Sequence, residues 1–91
     1  MKLYLLTQTA NTDYYNAYNS CVVCAESQDD AKKIHPSSDF FWNNEKWVCK
    51  STPNYNDKSW TKPSNVKVKI IGEASNSMRK GVICASYFGR I

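Results

Sequence analysis

The chain has little of what loosens or interrupts a fold. Three glycines and three prolines in 91 residues leave no flexible linker and no low-complexity repeat. No apolar run approaches the roughly eighteen residues of a membrane-spanning helix, so no span is predicted. The apolar stretch within Met1–Thr7 is too short for a secretory signal, and a cytosolic protein is expected. Histidine occurs once, at His35. There is no Gly-rich phosphate loop, no G-x-S-x-G and no set of His and carboxylates resembling a metal triad. The sequence therefore predicts no enzyme, no cofactor and no metal site.

What is present suits one globular domain, residues 1–91. The 42% hydrophobic and 22% charged fractions exclude the disordered class. Charge is unevenly placed. Residues 1–45 hold three Lys against six Asp/Glu, and residues 46–91 hold nine Lys/Arg against two, so −3 and +7 sum to +4. A clustered positive field attracts anions and raises association rates, which points to an anionic partner for the second half.

Cys21, Cys24, Cys49 and Cys84 could form two disulfides, but a reducing compartment favours buried free thiols. Cys21-Val22-Val23-Cys24 has the C-x-x-C spelling of zinc and redox sites. Val-Val makes a strand there, and strand residues three apart face opposite ways, which opposes a shared ligand.

Lys2–Gln8 alternates, with Leu3, Leu5 and Thr7 against Tyr4 and Leu6, and reads as a strand. Thr9–Asn19 reads as an exposed connection, rich in Asn and Tyr. Ser20–Ala25 is apolar on both faces, as in a central strand. Ser27 before Gln28-Asp29-Asp30 supplies an N-cap and acids for the positive end of a helix dipole. Lys32, Lys33 and Pro36 close that helix, predicted at about two turns with Ala31 and Ile34 inward. Asp39–Asn65 reads as a long ordered loop with a short strand near Lys46–Lys50, and long loops are often working surfaces. In Asn65–Glu73, Val66, Val68 and Ile70 alternate with Lys67 and Lys69, predicting a strand with the lysines exposed on one face. Gly81–Phe88 is a last strand, with Val82, Cys84 and Ser86 opposite Ile83, Ala85 and Tyr87. The expected fold is α+β: a small antiparallel sheet with one short helix packed on one face. Its order is β-β-α-(long loop)-β-β, the last two strands forming a terminal antiparallel pair.

Several segments resemble an uncharacterised family of small accessory proteins of tailed bacteriophages and prophages. They are Lys2–Gln8, Ser20–Ser27 and Ala31–Pro36, then Trp60-Thr61-Lys62-Pro63, Val66-Lys67-Val68, Ile71–Ala74 and Gly81–Ser86. The resemblance spans nearly the whole chain, with Phe40–Asp57 matching least. It implies a phage accessory protein in the cytoplasm of a bacterial host and carries over no site residues.

Two partner classes fit these residues. A host protein would meet rigid rings and lysines, and the candidates are Tyr14, Tyr15, Trp60, Lys62, Lys67 and Lys69. The chain would then act as an inhibitor or adaptor, counter-defence included. The alternative is single-stranded nucleic acid, or a small anionic nucleotide held by Lys67, Lys69 or Arg79 in a dimer groove. Trp47 and Trp60 are either stacking platforms or core plugs. His35 is expected partly exposed at the helix end, although a Cys–His couple is conceivable. A homodimer through an uncovered sheet edge, with Phe88 and Ile91, is a further expectation.

Overall fold

A computed structural model describes residues 1–8, 17–52, 54 and 59–88. Among them the elements run β1 (Lys2–Thr7), β2 (Ala17–Ala25), α1 (Gln28–Lys32), β3 (Phe40–Trp42), β4 (Trp47–Cys49), β5 (Lys67–Glu73) and β6 (Gly81–Phe88), with a 3₁₀ turn at Pro63–Asn65 before β5. The result is a mainly β, α+β fold with its strands antiparallel.

The principal sheet has the order β5-β1-β2-β6. β1 and β2, the strands apolar on both sides, take the centre in an unbroken register from Lys2 opposite Ala25 to Thr7 opposite Ser20. The last two strands do not pair with each other as expected: β5 joins β1 and β6 joins β2, at opposite edges. This exchange gives each central strand two neighbours. Both edge strands bulge. The β1–β5 register slips between Leu3 and Tyr4, leaving Ile71 as an extra residue, and the β2–β6 register slips between Val22 and Val23, leaving Ile83 extra. The second slip corrects the expected facing of β6. Val82 lies across from Val23 and Cys84 across from Val22, so these two residues share no face.

One face of the sheet carries the core. Tyr4 and Leu6 of β1 join Cys21, Val23 and Ala25 of β2 with Ala31, Trp47, Trp60 and Val66 in one buried cluster. Completely burying a side chain such as Leu6 or Val23 stabilises by roughly 1.5–3 kcal/mol. α1 is capped as its sequence dictates: Asp30 N–H donates to Ser27 Oγ at 3.2 Å, with Asp29 and Asp30 in the first turn. It spans five residues, fewer than the expected two turns, because Lys33 and Ile34 tighten into i−3 hydrogen bonds to Asp30 and Ala31.

The region expected to be a loop contains a second, two-stranded sheet in which Trp42 faces Trp47. Asn43 and Asn44 make its turn. Asn43 Oδ1 accepts the N–H groups of Glu45 and Lys46 at 2.9 and 2.8 Å, and Asn44 takes a φ of 79°, which Asn tolerates better than most residues. This hairpin packs Phe40, Trp42 and Trp47 onto the same cluster.

His35 departs furthest from expectation. It is 2% exposed, stacked on Phe40 with ring centroids 4.4 Å apart and touched edgewise by Trp47 at 5.1 Å. Its Nδ1 accepts the Ser37 N–H at 2.9 Å, which places the ring proton of the neutral imidazole on Nε2. Pro36 after the helix turns the chain inward rather than leaving the ring at a solvated helix end.

Candidate binding surface

The second face of the sheet is set by cross-strand register. Residues directly opposite in antiparallel strands share a face, so three rows run across it. One row is Gly72, Leu3, Cys24 and Gly81. The next is Lys69, Leu5, Val22 and Cys84. The third is Lys67, Thr7, Ser20 and Ser86. Leu3, Leu5 and Val22 are half-buried and stand outside the core cluster. Among the described residues, α1 and the β3–β4 hairpin both pack on the first face, and no helix or strand lies on the second. Cys24 is nonetheless fully buried, with Met1 Sδ 3.8 Å from its Sγ.

Lys67 and Lys69 are both exposed on this second face, as the alternation predicts. Among the described residues neither ammonium is paired with a carboxylate. The ion pair there is Lys80 with Asp30, at 3.9 Å and largely solvated, a geometry that contributes little to stability. Lys62 is exposed where the chain enters the 3₁₀ turn leading to β5. Trp60 is 2% exposed inside the core, so it cannot meet a partner as expected. Trp47 is buried too, its Nε1 donating to the Thr61 carbonyl at 2.8 Å. Both rings fill space between hairpin and sheet, where large apolar area is removed from water. Tyr14 and Tyr15, and also Ile91, lie outside the described residues. Leu5 and Val22 were not singled out by sequence reasoning. They belong to the surface only because the register sets them between Lys69 and Cys84.

The cysteines hold no shared site. Cys21 lies in the core row opposite Leu6, and Cys24 in the outer row opposite Leu3, as strand geometry requires. Cys84 is exposed, contrary to the expected burial, because its strand is an edge. Burial, assisted by nearby Cys84, pushes the Cys21 thiol up to about 12. Cys49 Sγ donates to Asp39 Oδ2 at 3.1 Å, and Ser51 Oγ donates to the same oxygen at 2.8 Å. These contacts hold the Asp39 carboxyl below its ordinary range and tie the two ends of the hairpin. Among the described residues no three His, Cys, Asp or Glu side chains are grouped to hold a metal, and no helix is long and apolar enough to cross a membrane.

Compared with known proteins, the chain matches no family model, no curated protein sequence and no solved structure.

Proposed function

We propose that the chain is a non-enzymatic accessory protein of a phage. In this reading it works in the cytoplasm of the bacterial host and binds an acidic host protein through the second face of its sheet, as inhibitor or adaptor. The observation that supports this reading is the row Lys69–Leu5–Val22–Cys84 with Lys67 beside it. Among the described residues, two ammonium groups without a carboxylate partner border a strip of half-buried aliphatic side chains. An acidic surface with an apolar centre complements that arrangement: the lysines steer the encounter and the aliphatic strip supplies area to bury. Single-stranded nucleic acid fits less well, because Trp47 and Trp60 are inside and offer no ring for a base to stack on. The phage context rests on the resemblance in sequence, and the partner class rests on the surface.

Affinity capture from bacterial lysate, with the wild-type chain beside a Lys67→Glu/Lys69→Glu variant, tests the reading. The expected result is an acidic protein retained by the wild type, released by salt and absent with the variant. Equal retention by both chains, or nuclease-sensitive capture of nucleic acid, overturns it.

A further inference from the structure

The two edges of the principal sheet are not alike. β5 carries Lys67, Lys69 and Glu73, and charged side chains on an edge strand discourage another strand from adding to it. β6 reads GVICASYF, with no charge and no proline over the whole strand. Among the described residues β2 is its sole pairing neighbour, so its other side presents unpaired backbone N–H and C=O groups. Ile83 is 44% exposed, and Cys84, Ala85 and Ser86 are exposed as well. A neutral edge of this length is a template for another strand unless something occupies it.

We infer that the occupant is β6 of a second copy, paired antiparallel about a two-fold axis perpendicular to the sheet. This goes beyond the partner reading above: it uses the backbone edge of β6, with Cys84 common to that edge and to the row of side chains. Charge sets where two copies can meet. Each chain carries +4, which opposes self-association unless the cations stay apart. Pairing at β6 gives the order β5-β1-β2-β6-β6-β2-β1-β5, with the lysine-bearing strands at the two outer edges. At about 4.8 Å between strands those edges lie roughly 34 Å apart, several times the Debye length of about 8 Å at physiological salt. Lys80, just before β6, is drawn toward Asp30 of its own helix. The charged β5 edges stop the assembly at two copies, so a closed dimer forms and not a growing ribbon. The axis also keeps both second faces on one side, giving one eight-stranded surface with a lysine pair at each end.

Cys84 reports on this junction. It is the exposed one of the four cysteines, and in registers centred on Cys84 or Ala85 it lies opposite or diagonal to its copy. The wild-type chain under reductant, followed by sedimentation velocity across a concentration series, should show a monomer–dimer equilibrium. A short bismaleimide should then link two chains, and Cys84→Ser should abolish the link without altering sedimentation. Cys84→Lys/Ser86→Lys sets like charges across the junction and should give a monomer whose unfolding midpoint matches that of the wild type diluted into its monomeric range. Ile71→Lys, which adds charge to the β5 edge, should leave the dimer intact. A wild type that is monomeric at every concentration overturns the inference, as does a dimer that survives the β6 double variant or dissociates with Ile71→Lys.

Discussion

Thr61 donates its backbone N–H to Gln8 Oε1 at 2.8 Å, so a side chain just past the first strand holds a segment 53 residues further along. The same amide donates from Nε2 to the carbonyls of Tyr18 and Ser59 at 2.6 and 2.9 Å. Gln8 is buried, and its carbonyl and amine together meet three backbone groups, of which the Thr61 N–H lies in the buried interior. Trp47 then fastens the hairpin to the same segment through the Thr61 carbonyl. One buried amide thus joins the central strands, the segment leading to β5 and, through Trp47, the small hairpin.

Gln8→Leu should therefore cost much more than its similar volume suggests. It leaves the buried Thr61 N–H without its acceptor and removes two further hydrogen bonds, although the Ser59 carbonyl still accepts the Tyr18 N–H, and an orphaned buried group costs about 1–3 kcal/mol. Urea unfolding should show a loss of at least about 2 kcal/mol with an unchanged m-value. A loss within the range of ordinary surface substitutions would mean that these bonds are not formed in solution.

His35→Ala should leave a cavity between Phe40 and Trp47 and remove the acceptor for the Ser37 N–H. Large-to-small changes at buried sites cost about 2–5 kcal/mol, and this one adds an orphaned donor. The wild-type ring should appear as the Nε2–H tautomer in long-range ¹H–¹⁵N spectra near neutral pH. A fast-averaging or Nδ1–H ring would contradict the hydrogen bond from Ser37.

Local physics made part of this molecule legible in its sequence. Alternation gave the faces of β1, Ser27 marked the start of α1, and Lys67 and Lys69 fell on one exposed side. What stayed hidden depends on contacts distant in sequence. No local pattern tells β5 to pair with β1 and not with β6. A bulge at Ile83 reverses the facing of Val82 relative to Cys84, and alternation alone assumes an unbroken ladder. The β3–β4 hairpin did leave a signal: Asn43-Asn44 between the apolar runs Phe40-Phe41-Trp42 and Trp47-Val48-Cys49 is turn chemistry. The burial of His35 escapes a local reading because the end of a short helix is solvated only when nothing packs over it. The surface row through Leu5 and Val22 emerges only when register on both sides of β1 is known.

Alkaline pH should weaken the fold through Cys21. Its thiol is raised from 9.0 to about 12 by burial, so the native state holds a proton that the unfolded chain releases earlier. That contribution is fully present below pH 9 and is lost as pH climbs toward 12, with a slope of at most about 1.4 kcal/mol per pH unit. Stability of the wild type minus that of Cys21→Ala, measured across this range, should fall with pH. Maleimide at neutral pH should label Cys84 well before Cys21. A flat difference, or equal labelling, would show that Cys21 is solvated.

Acid should act on the hairpin through Asp39. The thiol of Cys49, the hydroxyl of Ser51 and the charge of Lys50 hold its carboxyl below the ordinary 3.8. A carboxyl lowered on folding stabilises the native state above its unfolded value, and that contribution disappears as pH falls through the native one. Ser51→Ala should move the Asp39 titration, followed by carboxyl ¹³C shifts, back toward 3.8. Protection of the Phe40 and Cys49 amides, relative to their intrinsic exchange, should fall on acidification in the wild type, because protonation loosens the tie between the ends of β3 and β4. In Asp39→Asn the exchange should no longer respond to pH beyond its intrinsic chemical dependence. A response that persists there would place the acid-sensitive group elsewhere.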